Sequence, residues 1–277
     1  MNDTSPSALP PSPLAPAHEP AFNIPAVVMI MTLLLAGIFG LRSVMDAETD
    51  WRLLAALAFV PARISLWLEH AELPEVLRAA FGESAARLQP TQLPEKLRLL
   101  LDQDVSTPLT VLSYGLLHGS FSHLLTNGFW LVAFGSPVAR RLGATRFLIL
   151  LSLATMGGAI AHWFVDPLAI APLIGASAAV SGTTAAAARF VFAPGIRFGA
   201  LGQDEKVRAI RAESFMQLVA NPRALAFIGF WFAANFLFGS GVIPVSGEEA
   251  NIAWQAHIGG FVVGLMIFPL LDRHDQR

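Results

Sequence analysis

The stretch LTVLSYGLLHGSFSHLLTNGFWLVAFGSPVA, residues 109–139, decides the fold class. It holds no Asp, Glu, Lys or Arg, and it exceeds the roughly 20 residues that cross a bilayer as a helix. Five further runs lack those charges: Ala21–Leu41, Phe147–Val165, Pro167–Ala188, Ala224–Gly247 and Ala250–Leu271. Each is at or near spanning length, so the sequence predicts an all-α membrane protein, a bundle of six transmembrane helices. Composition agrees. The 277 residues are 54% hydrophobic and 14% charged, where a soluble domain carries about 25% charged residues. That balance speaks against a soluble globular or a disordered chain. A net charge of -2 gives no basic field for nucleic acid. With no cysteine, disulfides, thiolate metal sites and cysteine nucleophiles are ruled out.

Residues 1–20, rich in Pro, Ser and Ala, read as a disordered cytoplasmic tail, residues 21–272 as the membrane domain and 273–277 as a short cytoplasmic tail. Residues 42–108 form a long external first loop. Within it Trp51–Leu68 is apolar but interrupted by Arg52, Pro61 and Arg63. It reads as one interfacial helix anchored by Trp51 and Trp67, with a seventh span as the alternative. Arg140, Arg141 and Arg146 follow the second span, and segment 189–223 is also rich in Lys and Arg. The turn with Asp166 and the loop with Glu248 and Glu249 have no basic residue. The positive-inside rule therefore runs spans two, four and six from outside to inside and puts both termini in the cytoplasm. Arg42, just after the first span, departs from this pattern; long loops obey the rule poorly.

Polar residues inside spans are costly and mark function. Span two opens with His118, His123 and Asn127; span four with Gly175, Ser177 and Ser181; span six contains His257. Counted at about 1.5 Å per residue from the inner charge borders Arg140, Arg189 and Asp272, Asn127, Ser177 and His257 lie roughly 18–22 Å up, and His123 near 25 Å. All four thus share the outer half of the bilayer. From Gly175 to Ala188 every residue except Val180 is Gly, Ala, Ser or Thr, which admits close helix neighbours. Gly260 and Gly264 in span six offer the matching small-residue face. A serine within reach of a histidine is the core of nucleophilic catalysis. No span core of helices two, four or six holds a carboxylate, so a Ser–His dyad is expected. Asn127 and His123 share a helical face and can meet one oxyanion with the Ser177 N–H. His118, about 140° round a helix from His123, is expected to face elsewhere.

This set resembles the rhomboid family of intramembrane serine proteases, over about residues 105–272 and in the position of the long first loop. The resemblance rests on HGSFSHLLTN in span two, GASA in place of the usual G-x-S-G, and AHIGG in span six. It implies Ser177 as nucleophile, His257 as general base, His123 and Asn127 as oxyanion donors, and Gly175 as the glycine that lets backbone approach the scissile carbonyl. His118, Gly260 and Gly264 take supporting roles. Ala178 departs from the pattern, and Ser181 stands where relatives often place a tyrosine against the histidine.

The expected activity is cleavage of peptide bonds in or near transmembrane segments of other membrane proteins, with the lipid bilayer as surroundings and no metal or other cofactor. A zinc site of His118, His123 and His257 is the less favoured alternative, since it leaves Ser177 unexplained. The alternative function is a silent rhomboid-like protein that binds membrane helices; a transporter would show repeated halves or intramembrane charges. Trp231, Phe232, Phe236 and Phe238 read either as a lipid-facing surface or, by the resemblance, as a lateral gate. His162 and Asn235 read as packing residues. The composition suggests a bacterial inner membrane.

Overall fold

The computed structural model describes residues 23–196, 201–239 and 253–272. The expected tails 1–20 and 273–277, Arg197, and the loop with Glu248 and Glu249 lie outside them. The described residues form an all-α bundle with several apolar helices and no strand beyond an isolated bridge. Its helices are α1 (Ala26–Ser43), α2 (Ala47–Leu57), α3 (Pro61–Trp67), α4 (Leu73–Phe81), α5 (Glu95–Leu101), α6 (Thr110–Ser113), α7 (Phe121–Trp130), α8 (Ser136–Leu142), α9 (Ala144–Val165), α10 (Ser177–Val191), α11 (Asp204–Ala209), α12 (Phe215–Ala220), α13 (Pro222–Gly239) and α14 (Trp254–Leu271).

Among the described residues three helices, α1, α9 and α14, are long and apolar enough to cross a membrane, and α13 is apolar over Pro222–Leu237. The charge-free run 109–139 is not one regular helix. A π-helical turn over Leu131–Gly135 joins α7 to α8. Pro137 explains it: the ring has no N–H to give and crowds the carbonyl four residues back, so the preceding turn widens. The run 167–188 also divides. Pro167, Pro172 and Gly175 keep residues 166–176 as a loop, and helix begins only at Ser177. The 15 residues of α10 reach about 22 Å, short of a core about 30 Å thick.

α10 is the centre of the bundle, with every residue from Ala178 to Val191 buried. Glycines set how closely it is approached. A Cβ on Gly260 would lie 2.7 Å from the Ala178 carbonyl carbon, and one on Gly264 would meet the Gly182 backbone. On the other flank, a Cβ on Gly182 of α10 would run into Ala154 of α9. Backbone-to-backbone packing of this kind substitutes for the hydrophobic drive that lipid removes. Below it, Arg141 pairs with Asp272 (2.7 Å), both buried, and donates to the Val207 and Ile210 carbonyls (3.1 and 2.6 Å). Its guanidinium also lies over the Phe190 and Phe268 rings.

The first loop folds as helices rather than as one interfacial helix. Trp51–Leu68 breaks at Ala58–Val60 into α2 and α3, because Pro61 starts a new helix. Buried Arg63 holds the break: it donates to the carbonyls of Ala55 (2.5 Å) and Ala58. Burial lowers the basicity of that guanidinium, and Asp104 and Asp102 oppose the effect. The loop then grips residues 166–176. Phe59 and Leu173 exchange backbone hydrogen bonds (3.2 and 2.8 Å), Ala62 N–H reaches Ala169 O (3.0 Å), and Ser65 Oγ donates to Pro167 O (2.7 Å).

Candidate active site

Ser120 caps α7, its hydroxyl accepting from the His123 N–H (3.1 Å). One turn separates His123 from Asn127, so both present the same face. Asn127 is buried, and its Nδ2 donates to His118 Nε2 (3.2 Å). An amide nitrogen only donates, so Nε2 accepts. One hydrogen of that Nδ2 remains for another acceptor. The His118 ring stands edge-on to His123, centroids 5.0 Å apart. The expectation that His118 faces elsewhere is thereby corrected. The 140° rotation presumes a helix through residue 118, but α7 starts at Phe121 and Leu117 is extended. Arg42 donates to the His118 carbonyl (3.0 Å) and pairs with Asp50 (2.7 Å). This basic residue after the first span is thus neutralised in place.

Gly175 adopts φ +116 and gives its N–H to the Tyr114 carbonyl (3.0 Å). Tyr114 is itself fixed by its hydroxyl, which donates to Thr155 O (2.8 Å). A Cβ at position 175 would lie 2.7 Å from His123 Cε1 and Nε2 and 3.8 Å from Asn127 Nδ2. Glycine is therefore required twice, for the left-handed backbone and for its approach to the two side chains. Two residues on, half-buried Ser177 opens α10, and its N–H is among the first-turn amides that the helix leaves without an acceptor. Its carbonyl accepts from Ser181 Oγ (2.7 Å). The Ala178 methyl faces Gly158 of α9, where an added Cβ would run into it. The departure from G-x-S-G is housed between helices.

His257 sits one turn before Gly260, on the helix that packs backbone to backbone against Ala178. Among the described residues no hydrogen bond joins Ser177 Oγ to His257. His257 Nδ1 instead meets Asn235 Oδ1 of α13. The sequence reading missed that partner. Asn235 was visible as a lone amide in an apolar span, but the rotation of α13 against α14 is not written in either helix. Trp231 and Phe232 pack on Phe261 of α14 (4.9 and 5.2 Å), so they are not simply lipid-facing. Among the described residues no group of three or more His, Asp or Glu is arranged to hold a metal ion.

No curated protein matches the chain. A family model described as the Rhomboid domain matches residues 106–273, more than half of the sequence. The match takes in His118, His123, Asn127, Gly175, Ser177 and His257 together with the glycines that pack α10 on α14, and by it the chain belongs to the rhomboid family.

Proposed function

We propose that this membrane protein is an intramembrane serine endopeptidase. The family is generally one of intramembrane proteases. The observation that carries the reading is the Gly175 backbone lying against His123 and Asn127, two residues ahead of Ser177 at the start of α10. Ser177 Oγ attacks the scissile carbonyl as His257 takes its proton, forming the Oγ–C bond. The oxyanion is met by Asn127 Nδ2–H, the His123 imidazole and the Ser177 N–H. The C–N bond then breaks, and the amine leaves with the proton from His257. Water, activated by the same base, cleaves the acyl-enzyme and restores the serine. Substrates are transmembrane segments of other proteins, reached within the bilayer. The reading carries six spans, both termini in the cytoplasm and a bacterial inner membrane.

The test is cleavage of a transmembrane reporter in proteoliposomes by wild type, Ser177→Ala and His257→Ala. Wild-type cleavage that both substitutions abolish supports the reading. Cleavage surviving in Ser177→Ala refutes it. A folded wild type that cuts no reporter and takes no fluorophosphonate on Ser177 favours the silent, helix-binding alternative.

A further inference from the structure

We infer that Asn235 is a positioning residue for His257, its amide oxygen on α13 holding the imidazole in the tautomer that serves Ser177. The inference rests on the protease reading above. Asn235 makes two bonds that fix its orientation. Nδ2 donates to the Trp231 carbonyl of its own helix (2.8 Å), which leaves Oδ1 toward His257 Nδ1. A flipped amide would set Nδ2 against the imidazole and leave that carbonyl facing an oxygen. An amide oxygen only accepts, so Nδ1 must carry the proton. The lone pair is then on Nε2, the nitrogen free to act as base. This is the logic by which a third group orients the histidine of a nucleophile–histidine pair. Here the third group is neutral, which suits a span where a carboxylate is costly.

The contact is built, not incidental. Trp231 stacks on Phe261 at 28° (4.9 Å), Phe232 meets the same ring edge-on (5.2 Å), and Phe236 packs on Trp254 (6.4 Å). These three pairs bracket Asn235 on α13 and His257 on α14, and they fix the relative rotation of the two helices. Movement of α13 would therefore carry the acceptor away from His257. The state of the base is coupled to the position of this helix.

The experiment records the imidazole 15N spectrum of His257 in wild type, Asn235→Ala and Asn235→Asp, with kcat and KM for the reporter in each. Wild type should show Nδ1 protonated and Nε2 bare. Asn235→Ala should give mixed tautomers, a kcat lowered about tenfold to a hundredfold by loss of orientation, and a KM within about twofold of wild type. Asn235→Asp, which keeps an acceptor oxygen, should restore the single tautomer. A merely structural role would move the melting temperature and leave the tautomer as it was, and an unchanged tautomer in Asn235→Ala overturns the inference. Should Asn235→Ala fail to fold, Asn235→Leu keeps the volume and reads the same signal. If wild type neither cleaves nor takes fluorophosphonate on Ser177, the protease reading falls, while the 15N spectra still decide whether Asn235 sets the tautomer.

Discussion

Replacing Gly260 by alanine should separate α10 from α14 and disable the site without touching a reacting group. The added Cβ would stand 2.7 Å from the Ala178 carbonyl carbon and 2.9 Å from its Cα. The Ala178 carbonyl oxygen would be nearer still; carbon atoms in good contact are about 3.5 Å or more apart, so the shortfall is at least about 0.8 Å. The Cβ is fixed by its own backbone and the atoms it meets are backbone, so no rotamer relieves the contact. The helices must part by about that amount one turn from His257 and beside Ser177. A misplacement near 1 Å costs about a hundredfold in rate, and overpacking costs about 1–3 kcal/mol. The assay is reporter cleavage in proteoliposomes beside a tryptophan-fluorescence melt. Gly229→Ala on α13 is the control, because a Cβ there meets nothing within 4 Å. A Gly260→Ala protein within threefold of wild-type activity, with an unshifted melt, would refute the backbone-contact argument.

Other substitutions probe the remaining parts. Asp272→Ala strands the buried Arg141 charge and should cost about 3–5 kcal/mol, whereas the Arg141→Met/Asp272→Leu pair removes that charge but leaves the Val207 and Ile210 carbonyls without their donor and should recover only part of it; urea or thermal melts decide. Ala178→Gly removes a methyl that faces Gly158 of α9. It should leave kcat/KM within about twofold while lowering stability by about 0.5–1 kcal/mol through helix propensity; a large gain in activity would show that the methyl crowds the oxyanion pocket. Arg63→Met leaves the Ala55 and Ala58 carbonyls without their donor, at about 1–3 kcal/mol for each buried acceptor. Its signature should be early proteolysis within residues 42–108, seen by timed digestion.

The membrane class is legible from charge-free runs because lipid leaves a strong compositional mark. The small residues of α10 and the Gly260/Gly264 pair are legible for a related reason: close packing demands them at helical spacing. Where those runs stop being helix is harder to read. Apolar composition is shared by the loop 166–176 and by α10, and only Pro167, Pro172 and Gly175 separate them. The place of His118 depends on a helix start at Phe121, which Ser120 sets through a side-chain cap rather than through periodicity. Asn235 against His257 depends on a tertiary rotation fixed by aromatic pairs, and neither helix encodes that alone. The docking of α2 and α3 on residues 166–176 runs mostly through backbone groups, which every residue carries, with the Ser65 hydroxyl as its side-chain donor, so the side-chain pattern announces little of it.

That docking has a consequence for assembly. Ser65 and Pro167 are 102 positions apart in the chain, and Phe59 and Leu173 are more distant still. Ends so remote meet at an entropic cost that rises only slowly with length, yet non-local pairings of this kind are made late in folding. The first loop is synthesised before the segment it must hold, and it waits with unpaired backbone groups until that segment arrives. The segment that leads into Ser177 is therefore held only once two parts of the chain more than a hundred positions apart have met.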